Sequence, residues 1–332
     1  MKKEELHSIF ESFNGLKVLI IGDVMIDAYL WGSVTRISPE APVPIVSVTK
    51  RENRLGGAAN VALNIQALGA IPILCSDIGN DEKSNLFLEL LKKQNLTNEG
   101  IIKNSNRITT VKTRIIGNNH QMLRVDSEIE NDNGTVETSA LLQRIKNIIN
   151  TQKTDVIIFE DYDKGVITPF LINEIVAFAI EKNIPVAVDP KRKNFLEYKE
   201  VTLLKPNLKE LKEGLKIEFN HDNKEELINA VALLREKSGI PVVLVTLSEK
   251  GILLSSKEEN RIIPAHIRDI ADVSGAGDTV ISVAALCLAL KLPGTMIASL
   301  ANLAGGLVCE STGVVPVDKS RLLKEACFTF VV

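Results

Sequence analysis

The feature that most constrains this chain is a repeated switch of hydrophobic period. Short, β-branched apolar runs alternate with longer stretches whose apolar residues recur at helical spacing. Strand candidates are 17–22, 71–77, 155–160, 185–189, 201–204, 241–246, 251–255 and 260–264. Helix candidates are 3–13, 55–68, 81–94, 136–150, 168–182, 223–238, 278–290 and 294–310. Strands that alternate with helices favour parallel pairing, with helices covering both faces of the sheet. The expected fold class is α/β, with a mostly parallel central sheet.

Two stretches break that rhythm. Residues 29–54 hold the alternating piece Ile45-Val46-Ser47-Val48 next to a proline-rich run, Ser38 to Pro44. Thr109 to Ile116 alternates in the same way. Alternation of this kind marks strands with one wet face. The pattern predicts a small, discontinuous β-flap, a lid from about 29–54 and 106–126, added to a single domain spanning 1–332. The acidic stretch 127–135 reads as a solvated loop.

Composition removes several function classes. Among 332 residues the net charge is -3 and aromatics are 4%, so neither a basic nucleic-acid footprint nor a base-stacking platform is expected. Cys75, Cys287, Cys309 and Cys327 are widely spaced in apolar runs and read as core thiols in a reducing compartment. The N-terminus has no apolar stretch of signal-peptide type, and no run approaches the ~20 residues of a membrane span. A cytoplasmic protein is expected.

The chemistry-bearing stretch is Asp272-Val273-Ser274-Gly275-Ala276-Gly277-Asp278-Thr279, directly before an apolar helical run. Small residues let the backbone turn tightly, and unpaired N–H groups at a helix start attract anions. A carboxylate fixed beside such a cradle suits phosphoryl transfer to an alcohol, with Asp278 taking the hydroxyl proton. The same residues also fit an ordinary glycine-rich helix start with Asp in its first turn. No Lys follows the glycines, so this is no P-loop, and Val280 replaces the third glycine of a dinucleotide fingerprint.

Polar residues gather after several strand candidates. Asp23 and Asp27 follow the first, and Asp161 and Lys164 a later one. Asp189 and Lys191, then Lys205, Asn207 and Glu210, then Thr246 and Ser248 follow others. Each suits loop chemistry singly; together they lie on the sheet edge where α/β sites form. The Gly56-Gly57 pair opens a small-residue helix with Asn60 in its first turn, suited to close approach of a sugar or to tight helix packing.

The octet resembles the C-terminal signature of the ribokinase-like (PfkB-type) carbohydrate kinases. The stretch 55–60 is similar to their N-terminal signature, and Asn207-Leu208-Lys209-Glu210 to their N-x-x-E motif. The matches run in the family's order from about residue 15 to about 320. A narrower resemblance, to the heptose 7-phosphate kinases of lipopolysaccharide synthesis, rests on several stretches. They are Arg36 to Pro44, the GGAANVALN run, Gln121 to Asp126, Asp161 to Gly165 and Asp189-Pro190-Lys191. Those kinases are also found fused to an adenylyltransferase. The chain has no second nucleotide-binding unit before residue 332, so the stand-alone form is expected.

The resemblance implies an ATP- and Mg²⁺-dependent kinase acting on the C1 hydroxyl of D-glycero-D-manno-heptose 7-phosphate. Another sugar kinase of the family, for ribose, fructose or a nucleoside, and a non-catalytic sugar sensor are the alternatives. Asp278 would be the base, and the amides of Gly275, Ala276 and Gly277 the anion hole. Asp27, Gly56, Gly57 and Asn60 would hold sugar hydroxyls, with Asp161 among the substrate contacts. Asn207 and Glu210 would position magnesium through water. Thr246, Ser248, Gly251 and Asn302 would line the nucleotide. Arg36, Lys112, Arg114, Arg124, Lys164 and Lys191 are candidates for the 7-phosphate. A homodimer through the lid is implied as well. Four positions depart from the pattern: Glu160 replaces Ser, Asp163 replaces Gly, His120 replaces Gln, and Ser274 replaces Thr. The first three are expected on the substrate side.

Overall fold

A computed structural model describes residues 2–331. Its central sheet is built, among the described residues, from β1 (Lys17–Gly22), β4 (Ile71–Gly79), β5 (Gly100–Asn104), β8 (Val156–Glu160), β9 (Val186–Asp189), β10 (Leu203–Leu204), β11 (Val242–Thr246), β12 (Ile252–Ser255) and β13 (Asn260–Ile263). The order is β13-β12-β11-β10-β9-β8-β1-β4-β5. All neighbours are parallel except β11–β12 and β12–β13. The order reverses at β1, between β8 and β4. Such a reversal is the switch point beyond which open α/β sheets generally place their ligands.

Side-chain alternation sorts the core into two layers. On β8, Val156 and Ile158 join the layer under α1 (Lys3–Ser12), α2 (Ala58–Ala67), α3 (Glu82–Lys93), α8 (Ala276–Ala289), α9 (Gly294–Val308) and α10 (Lys319–Phe330). Ile157 and Phe159 join the layer under α4 (Thr135–Thr151), α5 (Pro169–Glu181), α6 (Leu208–Leu215) and α7 (Lys224–Ser238). Ile20, Ala187 and Leu203 lie in the first layer. By period 2, Gly22, Glu160, Asp189 and Lys205 continue that same face at the carboxyl ends of β1, β8, β9 and β10. No helix among the described residues is long and apolar enough to cross a membrane.

The sequence pattern missed three elements. The strand β5 is a five-residue edge piece. The helix α6 spans only eight residues, too short for its period to stand out, and α10 buries only Leu322 and Ala326.

A second sheet, ordered β3-β2-β6-β7, comprises β2 (Val24–Ile37), β3 (Pro44–Gly57), β6 (Val111–Gly117) and β7 (His120–Ser127). Its first arm starts closer to the core than the expected 29–54. Residues 24–28 and 55–57 belong to the same two long strands but are largely buried, which hides their alternation. Its second arm starts at Val111 instead of 106. The chain before it is tied to the main body by Arg107 on Asp77 and by Thr109 on Asp81.

Candidate active site

The first turn of α8 delivers an acid to the sheet edge. Gly275 precedes the helix with φ +81, a left-handed conformation that glycine adopts without steric cost. The opening N–H groups of a helix have no intrahelical acceptor. Ala276 donates to Val273 O at 3.3 Å; the N–H groups of Gly275 and Gly277 take no main-chain acceptor from the turn.

Asp278 is 6% exposed. Its Oδ2 accepts from Asn60 Nδ2 at 2.6 Å and its Oδ1 from the Tyr162 hydroxyl at 3.0 Å. Burial pushes its carboxyl up to about 6, Asp189 adds to the rise, and the two hydrogen bonds oppose it. An acid tuned close to neutrality suits proton abstraction.

Opposite Asp278 lies the row of strand-end residues. Lys205 Nζ is 2.9 Å from Asp189 Oδ2, and Lys191 Nζ is 3.9 Å from Asp189 Oδ1 and bonded to Glu210. Glu160, Asp189 and Asp278 each bring an oxygen within 4.8 Å of the others. Glu160 is fully buried and neither of its oxygens accepts a hydrogen bond. Burial, then Asp189 and Asp278, raise its carboxyl well above the usual range. Acids crowded into a dry site do not all ionise, so Glu160 keeps its proton. For Lys191 and Lys205 burial favours the neutral form, but the carboxylates outweigh it and both stay charged. The site thus sets two ammonium groups beside an anion-receptive helix start.

Asp27 is buried and paired with Arg114. A Cβ on Gly56 would stand 2.3 Å from Asp27 Oδ2, so a larger residue there would displace that carboxylate. Arg114 and Arg54 flank the Tyr29 ring at 5.3 and 5.0 Å. The other basic candidates are differently placed. Lys164 binds Glu128 and Glu130, and Lys112 binds Asp126 and Glu128, so both are locally neutralised. Arg124 pairs with Asp126 on the exposed outer strand β7, and Arg36 is exposed near the far end of β2.

Two acids have structural posts. Asp161 Oδ1 accepts from Asp163 N, and its Oδ2 from Asn194 and Tyr198. Asp23 accepts the main-chain N–H groups of Tyr162, Lys164 and Val166. Together they strap the loop after β8. At Asp163 the departure has a backbone side: its φ is +55, where glycine is at ease and Asp is tolerated.

The remaining predicted residues surround the carboxyl end of β11. Asn207 and Glu210 cap α6 reciprocally, and Asn207 bridges to Thr246. Ser248 and Gly251 form the turn into β12, where a Cβ on Gly251 would stand 2.0 Å from Ile263 O. Asn302 on α9 donates to Pro264 O at 2.8 Å. Glu210 Oε1 is held by Lys191 and Oε2 by Asn207 N, while Asn207 Oδ1 takes Glu210 N. Every oxygen here already has a protein partner, but carboxylate oxygens carry spare lone pairs. The pair therefore fits magnesium through the ion's own waters.

Sequence reasoning did not single out Tyr162, Lys205 or Asp189 as site residues. Lys205 and Asp189 stand in the strand-end row and Tyr162 in the stretch Asp161 to Gly165, but the contact of Tyr162 with Asp278 spans 116 positions and is not readable from either segment.

A helix-start anion cradle with a buried acid, over the switch point of a doubly wound sheet, defines a phosphotransferase acting on an alcohol. The chain belongs to the pfkB family of carbohydrate kinases, whose family profile matches residues 16–320. It is 41% identical over 296 residues to the "Bifunctional protein HldE" of Aliarcobacter butzleri (89% of this chain, 61% of that protein). With the protein of that name from Desulfatibacillum aliphaticivorans it shares 39% over 324 residues (97% and 65%). This chain therefore spans about two thirds or less of these relatives' length. In fold it is similar to Escherichia coli phosphofructokinase-2 in complex with potassium (TM-score 0.78, 16% identity, covering 95% of this chain and 99% of that one). It is also similar to Arabidopsis thaliana ribokinase complexed with ribose and ATP (TM-score 0.70, 17% identity, 94% and 99%). The chain is a ribokinase-like sugar kinase.

Proposed function

We propose that this kinase transfers the γ-phosphoryl group of ATP to the C1 hydroxyl of D-glycero-D-manno-heptose 7-phosphate. The product is the 1,7-bisphosphate, a precursor of ADP-heptose and the lipopolysaccharide core. The observation that carries the chemistry is Asp278, buried at the mouth of α8 with a carboxyl near 6. The sugar assignment rests on the motif resemblance and on the relatives named above.

Asp278 takes the C1 hydroxyl proton as the sugar oxygen bonds to phosphorus. The bond from phosphorus to the bridging oxygen of ADP breaks, and ADP leaves with that electron pair. The amides at 275–277 and the ammonium groups of Lys191 and Lys205 receive charge on the migrating group. Asn60, Asp27 and the main chain at Gly56 and Gly57 hold sugar hydroxyls, and Arg114, whose fork is only partly used by Asp27, is the proposed partner for the 7-phosphate. Thr246, Ser248, Gly251 and Asn302 line the nucleotide. Asn207 and Glu210 orient magnesium, which when bound offsets phosphate charge.

The second sheet closes as a lid and excludes water. It exposes Ile37, Val43, Val48, Met122, Leu123 and Val125, and its edge strands β3 and β7 are unpaired on their outer sides. A homodimer through this sheet, in the cytoplasm, covers them.

A coupled ADP-release assay over free and phosphorylated sugars tests the substrate. Heptose 7-phosphate should turn over fastest. Ribose, fructose or a nucleoside matching it would assign another sugar kinase of the same family, a reading favoured by Glu160 in place of Ser.

A further inference from the structure

We infer that Tyr162 is a positioning residue for the acid at 278: its hydroxyl, delivered by a strapped loop, fixes the carboxylate against the sugar and keeps it ready to accept a proton. The inference rests on the reading of Asp278 as the base.

The geometry has three parts. The Tyr162 hydroxyl donates to Asp278 Oδ1 at 3.0 Å while Asn60 donates to Oδ2 at 2.6 Å. Both carboxylate oxygens are thus held, one from the first turn of α2 and one from the loop after β8. The loop carrying Tyr162 is rigidly anchored. Asp23 takes three of its N–H groups at 2.9 to 3.1 Å, and Asp161 is tied to Asn194 and Tyr198. The ring also lies 5.4 Å from the Lys191 ammonium, which binds Glu210. One side chain therefore touches the base and, through Lys191, the N-x-x-E helix start. Burial, followed by the neighbouring Asp278, raises the phenol well above its usual range, so it stays a donor.

A donor to a carboxylate favours its ionised form, and losing the donor raises the pH at which it ionises. The other charged or titratable groups facing Asp278 are Glu160 from β8, Asp189 from β9 and Lys205 beyond β10. All three are unchanged by substitution at 162.

The test is the pH profile of kcat/KM for the sugar phosphate. Tyr162→Phe should lower kcat about tenfold at pH 7 with KM values changed less than about twofold, and move the acid limb up by on the order of one pH unit. Site-specific 3-fluorotyrosine at 162 fills nearly the same space with a more acidic phenol and should move the limb down. If Tyr162→Phe fails to fold, the fluorotyrosine shift decides alone. A limb that stays in place, shifts of the same sign, or a loss confined to KM would overturn the inference. Asp278→Asn separates the two readings. If it abolishes turnover while Tyr162 variants behave as the parent, only the positioning role fails; if it retains turnover, the base itself is misassigned.

Discussion

Asn60 and Asp278 meet through a 2.6 Å hydrogen bond across 218 residues of chain, joining the first turns of α2 and α8. The Asn60 amide is 1% exposed, and its Oδ1 has no partner. One end of the amide therefore steadies the acid, and the other remains an acceptor for a hydroxyl. A buried polar atom without a partner costs about 1–3 kcal/mol, which in the proposed reading a sugar hydroxyl would offset.

Asp278→Asn should leave the fold and ATP affinity intact while lowering kcat by about 10²–10⁴-fold, the usual worth of a general base. Steady-state kinetics beside nucleotide titration by calorimetry checks this. Turnover within a few-fold of the parent would remove the mechanism.

The pH dependence follows from the direction of the shift. Asp278 must be ionised to accept a proton, and its carboxyl sits near 6 in the free protein. kcat/KM, which reports the free enzyme, should be flat above pH 7 and fall tenfold per unit well below 6. An acid limb near 4 would mean that the acting carboxylate is solvated, not buried.

Arg114 bonds Asp27 and stacks against Tyr29. Arg114→Lys keeps the charge but loses the planar fork. It should raise KM for the phosphorylated sugar about tenfold, leave KM for ATP unchanged and shift Tm little. An unchanged sugar KM would move the phosphate contact to another of the basic residues.

Leu123 is 56% exposed on the outer lid strand. Leu123→Asp sets an acid into the proposed contact between copies. Multi-angle light scattering at micromolar concentration should then report a monomer, against a dimer for the parent. A parent that is itself monomeric would reject the lid interface.

Much of the architecture was legible because sheet and helix periods are written in apolar residues, as in Val18 to Ile21 against Val280 to Leu288. The edge strand β5 and the eight-residue helix α6 are too short to show it, and α10 buries too few apolar residues. The acid at 278 was legible because its neighbours are glycine and alanine. Its partners were only half so. Asn60 stood in a glycine-rich motif, whereas Tyr162 is one aromatic after a strand and acquires meaning only when the fold closes. The N-x-x-E spacing illustrates the opposite ambiguity. Asn207 and Glu210 form a reciprocal helix cap, which alone would account for both residues. Asp163 adopts a left-handed turn conformation that its place in the sequence does not announce.

Gly57 ends β3 and immediately precedes α2, with φ +60 and with Ala58 N bonded to Asp23 O at 3.0 Å. Across the sheet it pairs with Val24, the first residue of β2. The two long strands of the second sheet thus converge three residues before Asn60. The residue that ends the outer sheet and the residue that steadies the acid therefore stand within one helical turn, so the strand register that seats the first also sets the depth of the second.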